Sequence, residues 1–218
     1  MTAPFIVLEG PEGSGKSVQS RLLAEFLEHQ GWEVVLTREP GGTALGDALR
    51  AILLSSDDYA ILPEAEVLLL AAARAQHVRE RIRPALERGA AVICDRFVDS
   101  TLAYQGGGHG IPLDQLLPIQ AYATGGLTPD LRILLDVPVD VGLQRRHAHP
   151  ASVNRIDRAS REFHCRVRQA YLQLATTHAD EWSVIDGRES IEAVASKVRT
   201  DVMVRVLPKF TTSAAGAS

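Results

Sequence analysis

The 218-residue chain carries only two cysteines, Cys94 and Cys165, and neither belongs to a CxxC or Cys/His cluster. The sequence therefore offers no disulfide framework and no zinc site, a pattern expected of a reducing compartment. Neither sign of charge is in excess, with 23 Lys plus Arg against 27 Asp plus Glu. That balance excludes the net basic field that draws a protein to nucleic acid or to an anionic membrane. Any phosphate must be met by local placement of charge. No apolar run approaches the ~18 residues of a spanning helix. Met1-Thr2-Ala3-Pro4 also lacks the basic lead into an apolar segment that marks a secretory signal, so the expected location is the cytoplasm. Internal repeats and linkers are missing too. The 45% apolar content is therefore expected to build one α/β domain over residues 1–210, followed by a small, polar, disordered tail at 211–218.

What is present is an alternation of short apolar runs with longer segments of helical period, the pattern of βαβ units around a largely parallel sheet. The candidate strands are Phe5 to Glu9, Glu33 to Thr37, Ala90 to Asp95, Leu131 to Asp136 and Trp182 to Asp186. Helices are expected from about Lys16 to His29, closed by Gly31, and through much of Glu64 to Arg88, closed by Gly89. Further helices are expected at Leu113 to Ala123, Val139 to Arg146, Ser160 to Ala179 and Ser190 to Val206. Several strands end in an acid or open onto glycine, and ligands of open parallel sheets gather at the carboxyl ends of the strands.

Gly10-Pro11-Glu12-Gly13-Ser14-Gly15-Lys16-Ser17 matches G-x-x-x-x-G-K-[ST], straight after the first strand and opening a helix. The glycines let backbone N–H groups turn inward around a β-phosphate, and the helix N-terminus adds its positive dipole end. Lys16 is expected to reach the β- and γ-phosphates, and the Ser17 hydroxyl to ligate Mg²⁺. An ordinary glycine-rich turn would not need Lys and Ser at these offsets. The loop alone does not separate a kinase from a GTPase switch or an ATP-driven motor. Glu12 adds information, because an acid in a polyanion cradle would repel the phosphates unless it points away. It is expected to face the acceptor; the bland alternative is a solvated loop acid.

Two arginines follow strands directly, Arg38 in Thr37-Arg38-Glu39-Pro40-Gly41-Gly42-Thr43 and Arg96 in Asp95-Arg96-Phe97. A guanidinium grips phosphate oxygens at two points, so the pair could clamp a monophosphate beside the P-loop. Asp95 closes an apolar strand as a Walker-B carboxylate would, with hydrated Mg²⁺ as its expected partner.

Together with Ser100-Thr101-Leu102-Ala103-Tyr104-Gln105-Gly106, these stretches resemble the bacterial thymidylate kinase family, and the resemblance runs from Phe5 to about Val206. It implies a P-loop NTPase fold, a five-stranded parallel sheet flanked by helices, with a mobile lid. The implied reaction is in-line transfer of the γ-phosphoryl group of ATP to dTMP, with Mg²⁺ as cofactor. The long helices and the resemblance both point to a homodimer. By the same resemblance Arg38 and Arg96 would hold the dTMP phosphate, with Arg50 in support. Arg74 would hydrogen-bond the thymine edge, as would Ser100, Thr101 or Gln105, and Tyr104 would press on the deoxyribose. From the residues alone, Arg74 in an apolar helix needs a polar partner, which a base edge or a buried salt bridge would supply equally well.

The polar stretch at about 147–158 reads as the lid, a basic loop closing over ATP. The family pattern there is Arg-x-Arg-x-Arg-Gly, whereas this chain has Arg145-Arg146-His147-Ala148-His149-Pro150. Arg145 would stack on adenine, and His149 stands where the catalytic lid arginine is usual. Neutral imidazole cannot replace a permanent cation, so Arg155 or Arg158 takes that role or His149 serves when protonated. Leu70 stands where the family usually has a Phe stacked on thymine, keeping apolar contact without the π-face. These departures leave two alternatives: a kinase for another monophosphate or nucleoside, or a nucleotide-binding regulatory homologue with impaired turnover.

Overall fold

Five aliphatic, β-branched runs form the sheet of the protein, whose computed structural model describes residues 3–54, 60–148 and 154–210. They are β1 (Phe5–Glu9), β2 (Val34–Arg38), β3 (Ala91–Asp95), β4 (Leu131–Asp136) and β5 (Trp182–Asp186), all parallel in the order β2-β3-β1-β4-β5. β1 is buried along its whole length, as expected of a central parallel strand covered on both faces. Its side chains alternate between two cores. Ile6 and Leu8 join Leu23 and Leu27 of the first helix and Val198 and Val202 of the last. Phe5 and Val7 turn to the opposite face with Val78, Ile82 and Phe97. β1 lies between β3 and β4, so successive connections leave it to either side and open a crevice at its carboxyl end.

The helices are α1 (Lys16–His29), α2 (Ala44–Leu54), α3 (Pro63–His77), α4 (Arg83–Glu87), α5 (Val98–Thr101), α6 (Leu113–Thr124), α7 (Val139–His147), α8 (Arg161–Thr177) and α9 (Ile191–Arg205). β1, β4, β5 and α1 have the bounds the sequence predicts. β2 and β3 each begin one residue later, and β2 extends to Arg38. Ser160 and Ser190 lie just outside α8 and α9 as caps, their hydroxyls accepting from Phe163 N and Ala193 N at 3.2 Å.

The predicted helix through 64–88 is one continuous rod in three pieces, α3, a π-helical turn at Val78–Ile82, and α4. Pro84, which has no N–H to donate, follows the wider turn. Besides short 3-10 turns at Ile156–Arg158 and Leu207–Lys209, two longer helical segments among the described residues go beyond the sequence expectations. One is α2; the other is α5 with its π-helical continuation Leu102–Gly108. Among the described residues no helix is long and apolar enough to cross a membrane. His149, the central part of the predicted lid and the 211–218 tail lie outside the described residues.

Candidate active site

The crevice at the end of β1 is a cleft of about 680 Å³ whose floor is the P-loop. Gly10 (φ +145°) and Gly13 (φ +68°) adopt backbone conformations that L side chains avoid. A Cβ at Gly13 would lie 2.1 Å from the Gly142 carbonyl oxygen. The loop can therefore turn tightly beneath α7 only with glycine there. Gly15 caps α1 in the left-handed region. The Lys16 ammonium spans the loop, donating to the carbonyls of Gly10 (3.1 Å) and Pro11 (2.9 Å) and to Ser14 Oγ (3.2 Å). Burial and the neighbouring Arg96 lower its pKa to about 8, against Asp95, Glu12 and Glu9. Ser17 Oγ donates to Asp95 Oδ2 at 2.5 Å. These are two hard oxygen ligands at the phosphate end of the loop, a donor set that suits Mg²⁺ completed by phosphates and water. Among the described residues there is no cluster of three or more His, Cys, Asp or Glu that would cage a metal by itself.

The Glu12 carboxylate turns to Arg96 and Tyr104. Its Oε1 accepts from Arg96 Nη2 (3.0 Å) and from the Tyr104 hydroxyl (2.7 Å). Burial would raise its pKa, but Arg96, Lys16, the Tyr104 hydroxyl and Arg146 overcome that and hold it at about 2. Arg96 also donates to Ser100 Oγ and Tyr171 OH, both at 3.1 Å, and lies over the Tyr104 ring at 4.9 Å. Arg38 and Arg50 line the same wall of the cleft. Arg50 donates to the Pro40 carbonyl (2.9 Å), and burial followed by repulsion from Arg38 lowers its pKa, with Arg96 adding to the effect. Three guanidiniums converging in this way favour an anion between them.

Arg74 is held by the buried salt bridge that the sequence left open as one of two possibilities. Nε donates to Glu39 Oε2 at 2.7 Å, Nη2 to the Phe97 carbonyl at 2.8 Å, and Nη1 to Thr101 Oγ1 at 3.1 Å and to Gln120 Oε1. Glu39 Oε1 meets His77 Nδ1 (2.9 Å), whose other nitrogen meets Thr37 Oγ1 (2.7 Å). This cluster fixes the Arg38-Glu39-Pro40 turn against α3. Leu70, Thr101, Tyr104 and Gln105 line the adjacent wall, and Gln105 Oε1 is buried there with no hydrogen-bond partner.

On the lid side, Arg145 Nη1 donates to the Gly187 carbonyl (2.9 Å) and lies 3.4 Å from that of Gly13, beside the P-loop. Arg155 and Arg158 are not brought to the cleft. The Arg155 guanidinium pairs with Glu66 Oε1 (2.8 Å) and the Leu53 carbonyl, and Arg158 is exposed on the turn after it. Arg146 lines the cleft beside Arg145, gripped by Asp157 at 3.0 and 2.7 Å, with Glu12 and Arg96 also acting on its charge. Sequence reasoning missed Arg146 because the family pattern drew attention to the neighbouring histidines. It also missed Glu9, Glu39 and Tyr171. The signal for Glu9 was an acid ending a wholly apolar strand.

A model of the thymidylate kinase family matches residues 8–198 of the chain. The thymidylate kinase of Thermomicrobium roseum is 52% identical over 204 residues, covering 92% of this chain and 96% of the relative. That of Pseudomonas putida is 47% identical over 194 residues, covering 89% and 92%. The crystal structure of thymidylate kinase from Ehrlichia chaffeensis superimposes with a TM-score of 0.75 at 32% identity, covering 93% of this chain and 99% of that one.

Proposed function

The chain belongs to the thymidylate kinase family and phosphorylates dTMP to dTDP with ATP as donor, and we propose that it does so on the cleft floored by the P-loop, with the residue roles that follow. The backbone of Gly10 to Gly15 and the Lys16 ammonium bind the ATP phosphates, and Arg145 lies against the adenine. Mg²⁺, held through the Ser17 hydroxyl and through water by Asp95, would offset phosphate charge. Arg38, Arg50 and Arg96 bind the dTMP phosphate, and their convergence on one wall is the observation that carries this reading. Arg74 meets the thymine edge with Thr101 or Gln105, Leu70 packs on the base, and Tyr104 meets the deoxyribose while Glu12 steadies Arg96; the Ser100 hydroxyl is taken up instead by Glu9, Arg96 and Tyr171.

A dTMP phosphate oxygen attacks the γ-phosphorus as its bond to the ADP oxygen breaks. That acceptor is already ionised near neutrality, so positioning and charge stabilisation supply most of the rate and no strong base is needed. Arg146, which already lines the cleft, is a better source of lid charge than Arg155 or Arg158. The enzyme works as one domain over 1–210 in a reducing cytoplasm, consistent with its unpaired Cys94 and Cys165, and as a homodimer.

An ATP-to-ADP assay against a panel of monophosphates tests the substrate side. dTMP should be the preferred acceptor, and Arg38→Ala or Arg96→Ala should raise KM for dTMP far more than KM for ATP. Equal losses for both substrates would show that the site has been divided wrongly. Lys16→Ala should abolish transfer in a folded protein.

A further inference from the structure

Arg96 is the only described non-glycine residue with positive φ, at 73°. A left-handed backbone at an arginine is unfavourable without outside restraint. The Arg96 N–H is held by the Leu8 carbonyl at 2.9 Å, and one carboxylate supplies further restraint. Glu9, at the end of β1, is fully buried and not exposed to substrate. Its Oε1 accepts from the backbone N–H of Phe97, the residue after Arg96, at 2.8 Å. Its Oε2 accepts from Ser100 Oγ (2.6 Å) and Tyr171 OH (2.9 Å). Those two hydroxyls are the acceptors for Arg96 Nη1, each at 3.1 Å. Glu9 thus holds the turn that sets the Arg96 backbone and, through two hydroxyls, one end of its guanidinium.

We propose that Glu9 is the positioning residue that presets Arg96 for the acceptor phosphate, acting through Phe97, Ser100 and Tyr171 and never touching substrate. The inference rests on the assignment of Arg96 to the dTMP phosphate made above. The two hydroxyl oxygens lie 2.8 Å apart, where either can donate to the other, and each also has Glu9 Oε2 within reach; a hydroxyl that gives its single proton to an ionised Glu9 keeps its lone pairs for the guanidinium. An amide at position 9 would present N–H groups to those same hydroxyls, compete for the lone pairs and let the guanidinium swing. Removing an orienting partner of a bound charge typically costs about tenfold in affinity.

The test is a double-mutant cycle read by calorimetric binding of dTMP and of a non-hydrolysable ATP analogue to the full chain. Glu9→Gln should weaken dTMP binding about tenfold and leave the ATP analogue within about twofold. In an Arg96→Ala background, Glu9→Gln should cost no further dTMP affinity, because the residue it acts through is gone. A merely structural role predicts losses for both ligands and a penalty that persists without Arg96; either result overturns the proposal. Should Glu9→Gln fail to fold, Tyr171→Phe decides the matter. It removes one of the two bridging hydroxyls and should weaken dTMP alone, whereas unchanged dTMP binding would overturn the idea. A wild-type protein that fails to turn over dTMP would overturn the assigned activity itself. One that turns it over while Glu9→Gln binds dTMP normally would overturn this inference alone.

Discussion

Lys16 is the residue through which ATP binding depends on pH. Its pKa of about 8 in the free protein leaves it mostly charged at pH 7 and mostly neutral at pH 9. Polyphosphate favours the ammonium, so binding must restore the missing proton above pH 8. Affinity for ATP should be flat below pH 7 and fall by up to about tenfold per pH unit above 8. Calorimetry in two buffers of different ionisation enthalpy would register proton uptake at pH 8.5, and none would mean that Lys16 keeps its charge without ligand. Leu70 lends itself to a second measurement, since it lines the cleft where a stacking ring is usual in the family. Leu70→Phe should tighten dTMP binding by about 0.5–1.5 kcal/mol. A fall in Tm with no gain in affinity would mean that the ring overpacks the wall instead. At this scale the sequence made legible the residues whose spacing is itself the mechanism, such as Gly13, Lys16 and Ser17. Glu9, Tyr171 and Arg146 were not legible, because their significance lies in partners distant along the chain. Glu9 and Tyr171 meet across 162 positions.

Among the elements, α7 has the narrowest tolerance. It rests on the P-loop through facing glycines, and a Cβ on Gly142 would lie 2.2 Å from the Glu12 carbonyl oxygen. Gly142→Ala should push α7, and with it Arg145 and Arg146, off the loop. Overpacking of this kind costs about 1–3 kcal/mol. The expected outcome is a lower Tm together with a KM for ATP raised roughly tenfold, a change of ~1.4 kcal/mol. A lower Tm with unchanged KM would show that the helix can shift without disturbing ATP. Glycines also explain which elements the sequence concealed. Gly106-Gly107-Gly108 reads as a turn, yet it lies in the helical segment after α5. A Cβ on Gly107 would meet Ala170 at 2.4 Å and one on Gly108 would meet Phe163 at 2.5 Å, so these glycines admit α8 rather than reverse the chain. α2 was hidden in the same way, by Gly41 and Gly42 before it and Gly46 in its first turn. Strand β1 was legible because a buried parallel strand needs an unbroken apolar run, and β4 and β5, each interrupted by one polar residue, Arg132 and Ser183, were legible as short apolar segments ending in an acid.

At the scale of the whole molecule, the face least suited to water is carried by α2, α3 and α6, which pack side by side. Leu45, Ala48 and Ile52 on α2, Ala65, Leu68 and Ala72 on α3, and Leu113, Leu117 and Ala121 on α6 are all exposed at helical spacing. Exposed apolar stripes on three adjacent helices are the kind of surface that a second copy would cover, which supports the proposed homodimer. The opposite sides of α3 and α6 hold Arg74 and Gln120, which bond to each other behind the acceptor wall. A dimer through this face would therefore brace the dTMP side of the cleft and leave the P-loop and lid untouched. Light scattering should give a mass near twice the 23.6 kDa of the chain. Leu68→Glu with Leu117→Glu should shift it to that of one chain, because two buried like charges facing their copies are not tolerated. If the brace matters, the monomeric variant should keep its circular dichroism and its KM for ATP while KM for dTMP rises several-fold. A wild-type protein that scatters as a monomer at micromolar concentration would refute the dimer, and a monomeric variant with unchanged KM for dTMP would refute the brace while leaving the dimer standing.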